Sequence, residues 1–252
     1  MAVSMLAAMF FCYERCLRMS DFAMPERTRA FYGRRKGHAL KRQQATLIET
    51  LLPKLAVDLV SRAPEIIASL FPHGPLATWL EIGFGGGEHL VARAKAHPEL
   101  GFIGCEPFVN GMAKALVGID SNGLTNVRLH FGDAIDLIEW LPDASLAGVD
   151  LLYPDPWPKK RHWKRRFVQD ETVAKLARII RPGGIFRFAS DIPHYAAWTL
   201  EHLARAPVFS WVAERADDWR LPWPEWVETR YEAKAKREGR APAYLTFRRQ
   251  AK

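Results

Sequence analysis

The sequence is poor in cysteine and has no long apolar run. Its only cysteines are Cys12, Cys16 and Cys105, too few and odd in number for the disulfide framework of a small secreted domain. No cysteine or histidine group has zinc-finger spacing, so we expect no metal. The apolar stretch 1–13 is too short to cross a bilayer, and its basic residues follow rather than precede it. We therefore expect neither signal peptide nor membrane anchor, and a cytoplasmic protein.

Internal repeats and low-complexity tracts are also missing, which excludes solenoids and disordered polymers. The chain has 252 residues and 48% hydrophobic composition, enough for a large core. We expect a single domain over residues 43–252, preceded by a flexible leader and basic arm over residues 1–42. Its length and composition leave open a monomer or a homodimer, and we expect no obligate protein partner.

The positive charge is unevenly distributed. The formal net charge is +8, and the cations concentrate in residues 25–42 and 159–166. Such a density of like charges repels itself unless anions are nearby, so a polyanion such as RNA is the expected partner. In the first cluster, the candidate RNA contacts are Arg34 and Arg35.

Apolar strand-like segments alternate with helical segments from residue 77 onward. The expected strands are 77–83, 101–106, 127–132, 149–153 and 185–190, with two short ones at 208–212 and 244–248. A helix is expected to end at Arg181, where Pro182-Gly183-Gly184 is a stop signal, and helical spacing also covers 43–60 and 64–70. Alternation of this kind predicts an α/β fold with a doubly wound, parallel sheet.

Each of the five longer strands ends in, or is soon followed by, a carboxylate. These carboxylates are Glu81, Glu106, Asp133, Asp155 and Asp191. Ligands of doubly wound sheets bind outside the carboxyl ends of the strands. Core packing does not explain this coincidence, so we expect a ligand site there.

A glycine-rich loop over residues 83–87 joins the first strand to its helix. The dinucleotide fingerprint that starts at Gly83 requires glycine at position 88, where the chain has Glu88. Glu81 would repel a pyrophosphate but attract the sulfonium and ammonium groups of S-adenosylmethionine. Glu106, 21 residues after Gly85, is placed to accept hydrogen bonds from ribose hydroxyls, and Asp133 from the adenine amine. A purely structural turn is the alternative for the loop.

Residues 153–166 combine a proline-rich acidic turn with a run of cations. Pro154, Pro156 and Pro158 end the fourth strand, and they predict a stiff, extended loop that carries Asp155 and Trp157. Asp155 is the candidate catalytic carboxylate. Trp157 and Trp163 could stack on bases or anchor the loop to the domain.

With these motifs the sequence resembles the bacterial tRNA (guanine-N7)-methyltransferases, a Rossmann-like S-adenosylmethionine-dependent family. The resemblance runs from about Phe31 to Arg249. It rests on residues 80–87, Gly104-Cys105-Glu106, Pro-Asp-Pro-Trp-Pro-Lys at 154–159, Ser190-Asp191 and Thr229-Arg230-Tyr231-Glu232. It implies a mostly parallel seven-stranded sheet with an antiparallel edge strand, and methylation of N7 of the guanine at position 46 in the tRNA variable loop.

The resemblance also implies roles for individual residues. Asp155 would be catalytic, and the donor would be bound by Glu81, Gly83, Gly85, Glu106, Asp133 and Asp155. Substrate would be held by Lys159, Asp191, Thr229, Arg230, Tyr231 and Glu232. RNA would be contacted by Arg161, His162, Trp163, Lys164, Arg165 and Arg166.

Other functions stay open on the residues alone. A related methyltransferase could act on another RNA or on a smaller guanine-containing molecule, although two basic clusters argue against a small substrate. A non-catalytic RNA-binding module would account for the charge, but not for five carboxylates at strand ends. A nicotinamide oxidoreductase is disfavoured by Glu81 and Glu88.

Overall fold

A seven-stranded sheet lies at the centre of the computed structural model, which describes Gly33, Arg35 and residues 37–251. Arg34 therefore lies outside the described residues. The strands are β1 (Thr78–Ile82), β2 (Gly101–Cys105), β3 (Val127–His130), β4 (Leu146–Leu152), β5 (Ile180–Ser190), β6 (Phe209–Trp211) and β7 (Ala243–Arg249). All seven predicted strands are present, with ends that differ by a few residues.

The strand order across the sheet is β3-β2-β1-β4-β5-β7-β6. Neighbouring strands from β3 to β5 pair in parallel, whereas β7 pairs antiparallel with both β5 and β6. The predicted doubly wound, mostly parallel sheet is confirmed, with its antiparallel strand one position in from the edge. Strands β2 and β3 lie on one side of β1, and β4 and β5 lie on the other, so the strand order reverses between β1 and β4. Ligands of doubly wound sheets bind in the crevice at such a reversal point.

The helices cover both faces of this sheet. They are α1 (Arg42–Thr50), α2 (Leu52–Leu55), α3 (Glu88–Ala96), α4 (Val109–Ser121), α5 (Ala134–Trp140), α6 (Asp170–Ile179), α7 (Pro193–Ala204), α8 (Asp217–Arg220) and α9 (Arg230–Arg237). One cluster of buried side chains, including Leu90 and Met112, packs α1, α3 and α4 on one face. Another, including Leu137 and Leu176, packs α5, α6 and α7 on the opposite face.

Two predicted helices have different bounds. The helical spacing over 43–60 continues only to Leu55, and of 64–70 only Ile67–Leu70 is helical, as a 3₁₀ turn. Pro53 is tolerated because it lies in the first turn of α2, where a backbone N–H would have no hydrogen-bond partner within the helix.

The expected helix end at Arg181 is also wrong. Helix α6 ends at Ile179, and β5 begins at the next residue. The pairing of β5 with β4 passes from Ile180–Leu146 to Ile185–Gly148, so Pro182-Gly183-Gly184 forms an irregularity within the strand rather than a helix stop. Gly183, with φ of 77°, adopts the left-handed conformation that lets the strand turn out and return.

Candidate functional site

The glycine loop lies at the reversal point, directly after β1. Gly83, Gly85 and Gly87 have φ of 70°, 58° and 79°, a left-handed conformation that other residues adopt only with strain. Helix α4 approaches the loop so closely that a methyl group on Gly111 would lie 2.2 Å from the Gly85 carbonyl oxygen. The loop is thus a backbone cradle whose shape depends on a glycine in the neighbouring helix.

Glu106 follows β2 and closes one side of this cradle. Its Oε2 accepts a hydrogen bond from Gly85 N–H at 2.7 Å, and its Oε1 accepts one from Phe108 N–H at 2.9 Å. Burial raises the pKa of the Glu106 carboxyl; the two N–H groups and Arg230 act in the opposite direction, and Asp155 adds to the rise. The carboxylate is fixed in position and has lone pairs left for ligand hydroxyls.

Glu81, the penultimate residue of β1, has a side-chain partner that could not be predicted from the sequence. Its Oε2 lies 2.8 Å from His89 Nδ1, and both side chains are buried. His89 Nε2 has no hydrogen-bond partner among the described residues, and the imidazole ring lies 5.2 Å from that of Trp226. His89 therefore orients Glu81.

Asp133 follows β3 and begins α5. As the N-cap of that helix, its carboxylate accepts a hydrogen bond from Ile135 N–H at 3.0 Å. This contact fixes the side chain at the same sheet edge as Glu106. Adenine recognition by Asp133 stays a prediction.

The proline-rich turn after β4 differs from the predicted extended loop. Tyr153 and Trp157, each followed by proline, have φ of 49° and 43°. Proline disfavours the helical region for the residue before it, but the surrounding contacts hold these two residues left-handed at a cost of about 1–2 kcal/mol each. Strain therefore flanks Asp155 on both sides and gives the turn a defined, non-extended shape.

Asp155 lies at the tip of this turn with its side chain exposed. The surrounding loop nevertheless removes part of its hydration, which raises the pKa of the carboxyl. Its charge reaches the buried Glu106 and Tyr195, since it raises the pKa of both. Because β2 and β4 are the two neighbours of β1, Glu106 and Asp155 follow strand ends on either side of the glycine loop.

The cations after the turn fall into an exposed group and a buried one. Residues Lys160–Arg165 form a 3₁₀ segment, in which Lys160, Arg161 and Lys164 are exposed, as is the preceding Lys159. His162 packs edge-on against Trp157, with 5.9 Å between ring centroids, and Arg165 lies 5.0 Å from the centroid of the Trp157 ring. Trp163 contacts His194 and Trp198 of α7, so it anchors the segment to the domain.

Arg166 does not fit the predicted RNA contact. Only 1% of its side chain is exposed, so no phosphate can reach the guanidinium in this arrangement. Its Nε donates to the Pro156 carbonyl oxygen at 2.9 Å.

The segment Thr229-Arg230-Tyr231-Glu232 covers the other side of the crevice. Thr229 caps α9 by accepting from Glu232 N–H at 3.2 Å. A methyl group on Gly85 would lie 3.1 Å from Arg230 Nη2 and 3.5 Å from the Tyr231 ring. Arg230 and Tyr231 therefore lie over the glycine loop.

Glu232 has no solvent exposure. Its carboxylate accepts from Trp226 Nε1 at 2.6 Å and from the Tyr244 hydroxyl at 2.5 Å, and lies 2.8 Å from Lys236 Nζ. In this arrangement Glu232 fixes the start of α9, so its predicted contact with substrate would require a rearrangement.

Asp191 follows β5 and is already paired. Its Oδ2 lies 2.5 Å from Arg240 Nε, and this pair raises the pKa of the guanidinium. This partner could not be predicted from the sequence, because Arg240 lies far along the chain in the segment that leads to β7. The role of Asp191 toward substrate stays a prediction.

The described end of the basic arm is docked on α4. Asn110 accepts from Gly37 N–H at 2.8 Å and donates to the His38 carbonyl oxygen at 2.7 Å. The Arg35 carbonyl oxygen accepts from Val109 N–H at 3.0 Å. Arg35 is exposed and therefore follows a defined path near the start of α4, beside the Glu106 side of the crevice.

The geometry fits a cationic ligand better than a polyphosphate. Buried or partly buried carboxylates lie around a glycine cradle, and the guanidinium of Arg230 lies over Gly85. In the described part of the chain, no cluster of three or more histidine, cysteine or acidic side chains could hold a metal ion. Nor does any helix within 37–251 combine the length and hydrophobicity needed to span a bilayer.

Comparison with known proteins gives consistent matches along most of the chain. A family model described as "Putative methyltransferase" matches residues 76–244. The chain is 60% identical over 222 residues to the tRNA (guanine-N(7)-)-methyltransferase of Nitrobacter hamburgensis, covering 88% of this chain and 87% of that protein. It is 56% identical to the protein of the same name from Bradyrhizobium diazoefficiens, covering 92% of this chain and 98% of that protein.

Solved structures resemble the fold at low sequence identity. The 16S rRNA methyltransferase KamB aligns with a TM-score of 0.52 and 18% identity, over 70% of this chain and 89% of that chain. The cyclase SpnF aligns with a TM-score of 0.50 and 17% identity, over 71% of this chain and 76% of that chain. One sheet architecture thus supports different reactions, and function has to be argued from the site.

Proposed function

The chain belongs to the family of tRNA (guanine-N7)-methyltransferases, and on that basis we propose that it transfers a methyl group from S-adenosylmethionine to N7 of guanine in tRNA. The observation that carries the proposal is the placement of Glu106 and Asp155 after β2 and β4, the two strands that flank β1 and its glycine loop, with Glu106 bound to Gly85 N–H. The substrate guanine would be that of position 46 in the variable loop.

The charged and polar groups around the crevice match those of the methyl donor. The donor carries a sulfonium, an ammonium and a carboxylate group, besides the ribose hydroxyls and adenine. Glu106 offers fixed oxygens for the hydroxyls, and Glu81, oriented by His89, offers negative charge for the ammonium. Arg230, over the backbone at Gly85, would meet the carboxylate. Asp133, at the end of β3, would lie toward the adenine.

When bound, S-adenosylmethionine supplies an electrophilic methyl group. Guanine N7 already has a lone pair, so the protein has to align N7 with that methyl group rather than remove a proton first. Positive charge develops on the purine as the bond forms. A carboxylate in a fixed position stabilises that charge.

Asp155 is the carboxylate for this task. It stands on a turn whose shape is fixed by three prolines and two left-handed residues. Its reduced hydration strengthens its electrostatic effect on a purine cation. The exposure of the side chain leaves it accessible to a base that enters the crevice.

The exposed cations Lys159, Lys160, Arg161 and Lys164 would bind the tRNA backbone. Phosphate contacts position the RNA but do not select the base. Because these residues follow Asp155 directly, they would place the variable loop over the carboxylate. Arg35, on the docked end of the arm, could extend the same surface.

Methylation mapping tests the proposal. The protein is incubated with bulk tRNA and methyl-labelled S-adenosylmethionine, and the product is cleaved chemically at N7-methylguanine. We expect label in tRNA and cleavage at one guanine in the variable loop. Label in a parallel incubation with total RNA, but not with tRNA, would favour the related-methyltransferase alternative, and binding of tRNA without label would favour a non-catalytic module.

Asp155→Ala tests whether methyl transfer depends on the proposed catalytic carboxylate. We expect it to lower turnover by at least about a hundredfold, as loss of a charge-stabilising group does in other enzymes, while tRNA binding survives. Near-normal turnover would remove Asp155 from the proposed mechanism.

A further inference from the structure

Arg166 is a buried cation in a segment of exposed ones. It is among the largest fully buried side chains of the described residues. Within that part of the chain, no carboxylate lies within ion-pair distance of it. Burial of a guanidinium without a counter-ion is costly, and burial lowers the pKa of Arg166. A cation buried at such a cost requires an explanation that RNA affinity does not give.

Aromatic rings compensate for the missing counter-ion. The guanidinium carbon lies 5.2 Å from the ring centroid of Trp163, 4.9 Å from that of Tyr195 and 5.1 Å from that of Trp198. Cation–π contacts of this kind gain strength where water is excluded. They hold the guanidinium plane in a fixed orientation.

The hydrogen bonds of Arg166 connect two separate parts of the crevice. Its Nε donates to the Pro156 carbonyl oxygen at 2.9 Å, one residue after Asp155. Its Nη1 lies 3.0 Å from His194 Nδ1, in the first turn of α7 and three residues after Asp191. The two carboxylates at the ends of β4 and β5 are therefore carried by segments that one guanidinium joins.

We propose that Arg166 is a positioning residue that fixes the Asp155 turn against the start of α7. The planar guanidinium spans both acceptors at once, which a lysine ammonium cannot do in the same orientation. With the bridge in place, Asp155 keeps its position relative to the base, and Asp191 keeps its position across the crevice. The inference rests on the proposed methyl transfer for its kinetic consequence, but the bridge itself does not depend on that function.

Arg166→Lys tests the guanidinium that forms the bridge, and His194→Ala tests one of the two groups that it joins. Arg166→Lys keeps the positive charge but loses the planar guanidinium that reaches both Pro156 and His194. His194→Ala removes one acceptor at an exposed position, where the fold tolerates substitution. For both we expect kcat to fall about ten- to a hundredfold, because small displacements of a positioned group cost that much. KM for tRNA and the salt dependence of tRNA binding should not change.

Lys164→Ala is the matched control, an exposed cation two residues earlier in the chain. As a phosphate contact it should lower the slope of log affinity against log salt by roughly 0.7 to 0.9. It should leave the backbone of the Asp155 turn unchanged.

Hydrogen–deuterium exchange gives a readout that does not require activity. Amides of residues 157–165 should exchange faster in Arg166→Lys and His194→Ala than in the wild-type protein, and not in Lys164→Ala. Unchanged exchange, or an Arg166→Lys variant with normal kcat and a reduced salt slope, would overturn the proposal and assign Arg166 to phosphate binding. If the wild-type protein is inactive on tRNA but the variants show this exchange pattern relative to it, the proposed function is refuted and the bridge is supported.

Discussion

Glu232 provides a direct test of how the second side of the crevice is built. The resemblance implies that this residue holds substrate, whereas the structure buries it completely among Trp226, Tyr244 and Lys236. Glu232→Gln keeps the shape of the side chain and removes its charge. The best arrangement of the amide directs its oxygen to Trp226 Nε1 and its NH₂ to the Tyr244 oxygen, so that Lys236 loses a partner.

The cost follows from the hydrogen bonds. The charge-assisted hydrogen bonds from Trp226 and Tyr244 become neutral ones, and the contact with Lys236 is lost. Together these changes lower the free energy of unfolding by about 2 kcal/mol. For a domain of this size such a loss lowers Tm by about 4 to 8 °C. Donor affinity should fall as well, because Glu232 fixes the helix start that places Arg230 over Gly85.

Glu228→Gln is the matched control. Glu228 contacts the same Lys236 ammonium at 2.9 Å, but it is 50% exposed, and an exposed pair contributes about 0.5 kcal/mol or less. Differential scanning fluorimetry of both variants gives the comparison. An unchanged Tm for Glu232→Gln, together with a raised KM for tRNA, would refute the structural role and restore the substrate role.

Three further predictions concern the loop, Glu106 and the cations. Gly111→Ala should displace the Gly85 carbonyl and weaken S-adenosylmethionine binding, measured by calorimetry; normal affinity would show that the cradle tolerates the methyl group. Because the pKa of Glu106 is raised on folding, its contribution to stability is present at low pH and is lost as pH rises through the folded pKa. The Tm of the ligand-free protein should therefore fall over that range, and less so in Glu106→Gln. Lys160→Ala/Lys164→Ala should reduce the salt slope of tRNA binding by roughly 1.5, whereas an unchanged slope would place these cations away from RNA.

The sheet and the place of the site were predictable because their signals are local. Apolar segments alternate with helical ones, and the left-handed turns after β1 require glycine, so Gly83 and Gly85 mark the loop in the sequence. Carboxylates after the strands then indicate the sheet edge where Glu106 and Asp155 follow the two strands beside β1. The close approach at Gly111 could also have been suspected from the sequence, because a glycine inside a helical segment usually indicates close packing against a neighbour.

The remaining features depend on partners that are distant in the chain. Arg165 and Arg166 are equivalent cations by sequence, but only Arg166 faces the pocket formed by α7 and its tryptophan. Burial of Glu232 likewise depends on Tyr244, which β7 brings in from beyond the helix. Tyr153 and Trp157 precede prolines, which favour an extended backbone for the residue before them. Both are left-handed instead, because tertiary contacts outweigh this local preference.

The most direct test uses a tRNA transcript in which 7-deazaguanosine replaces guanosine only at position 46. This base has carbon in place of N7 and otherwise keeps the base-pairing edge of guanine. With labelled S-adenosylmethionine, we expect one methyl group per unmodified transcript and none in the substituted one. Equal labelling of the two transcripts would contradict methylation of N7 at this position.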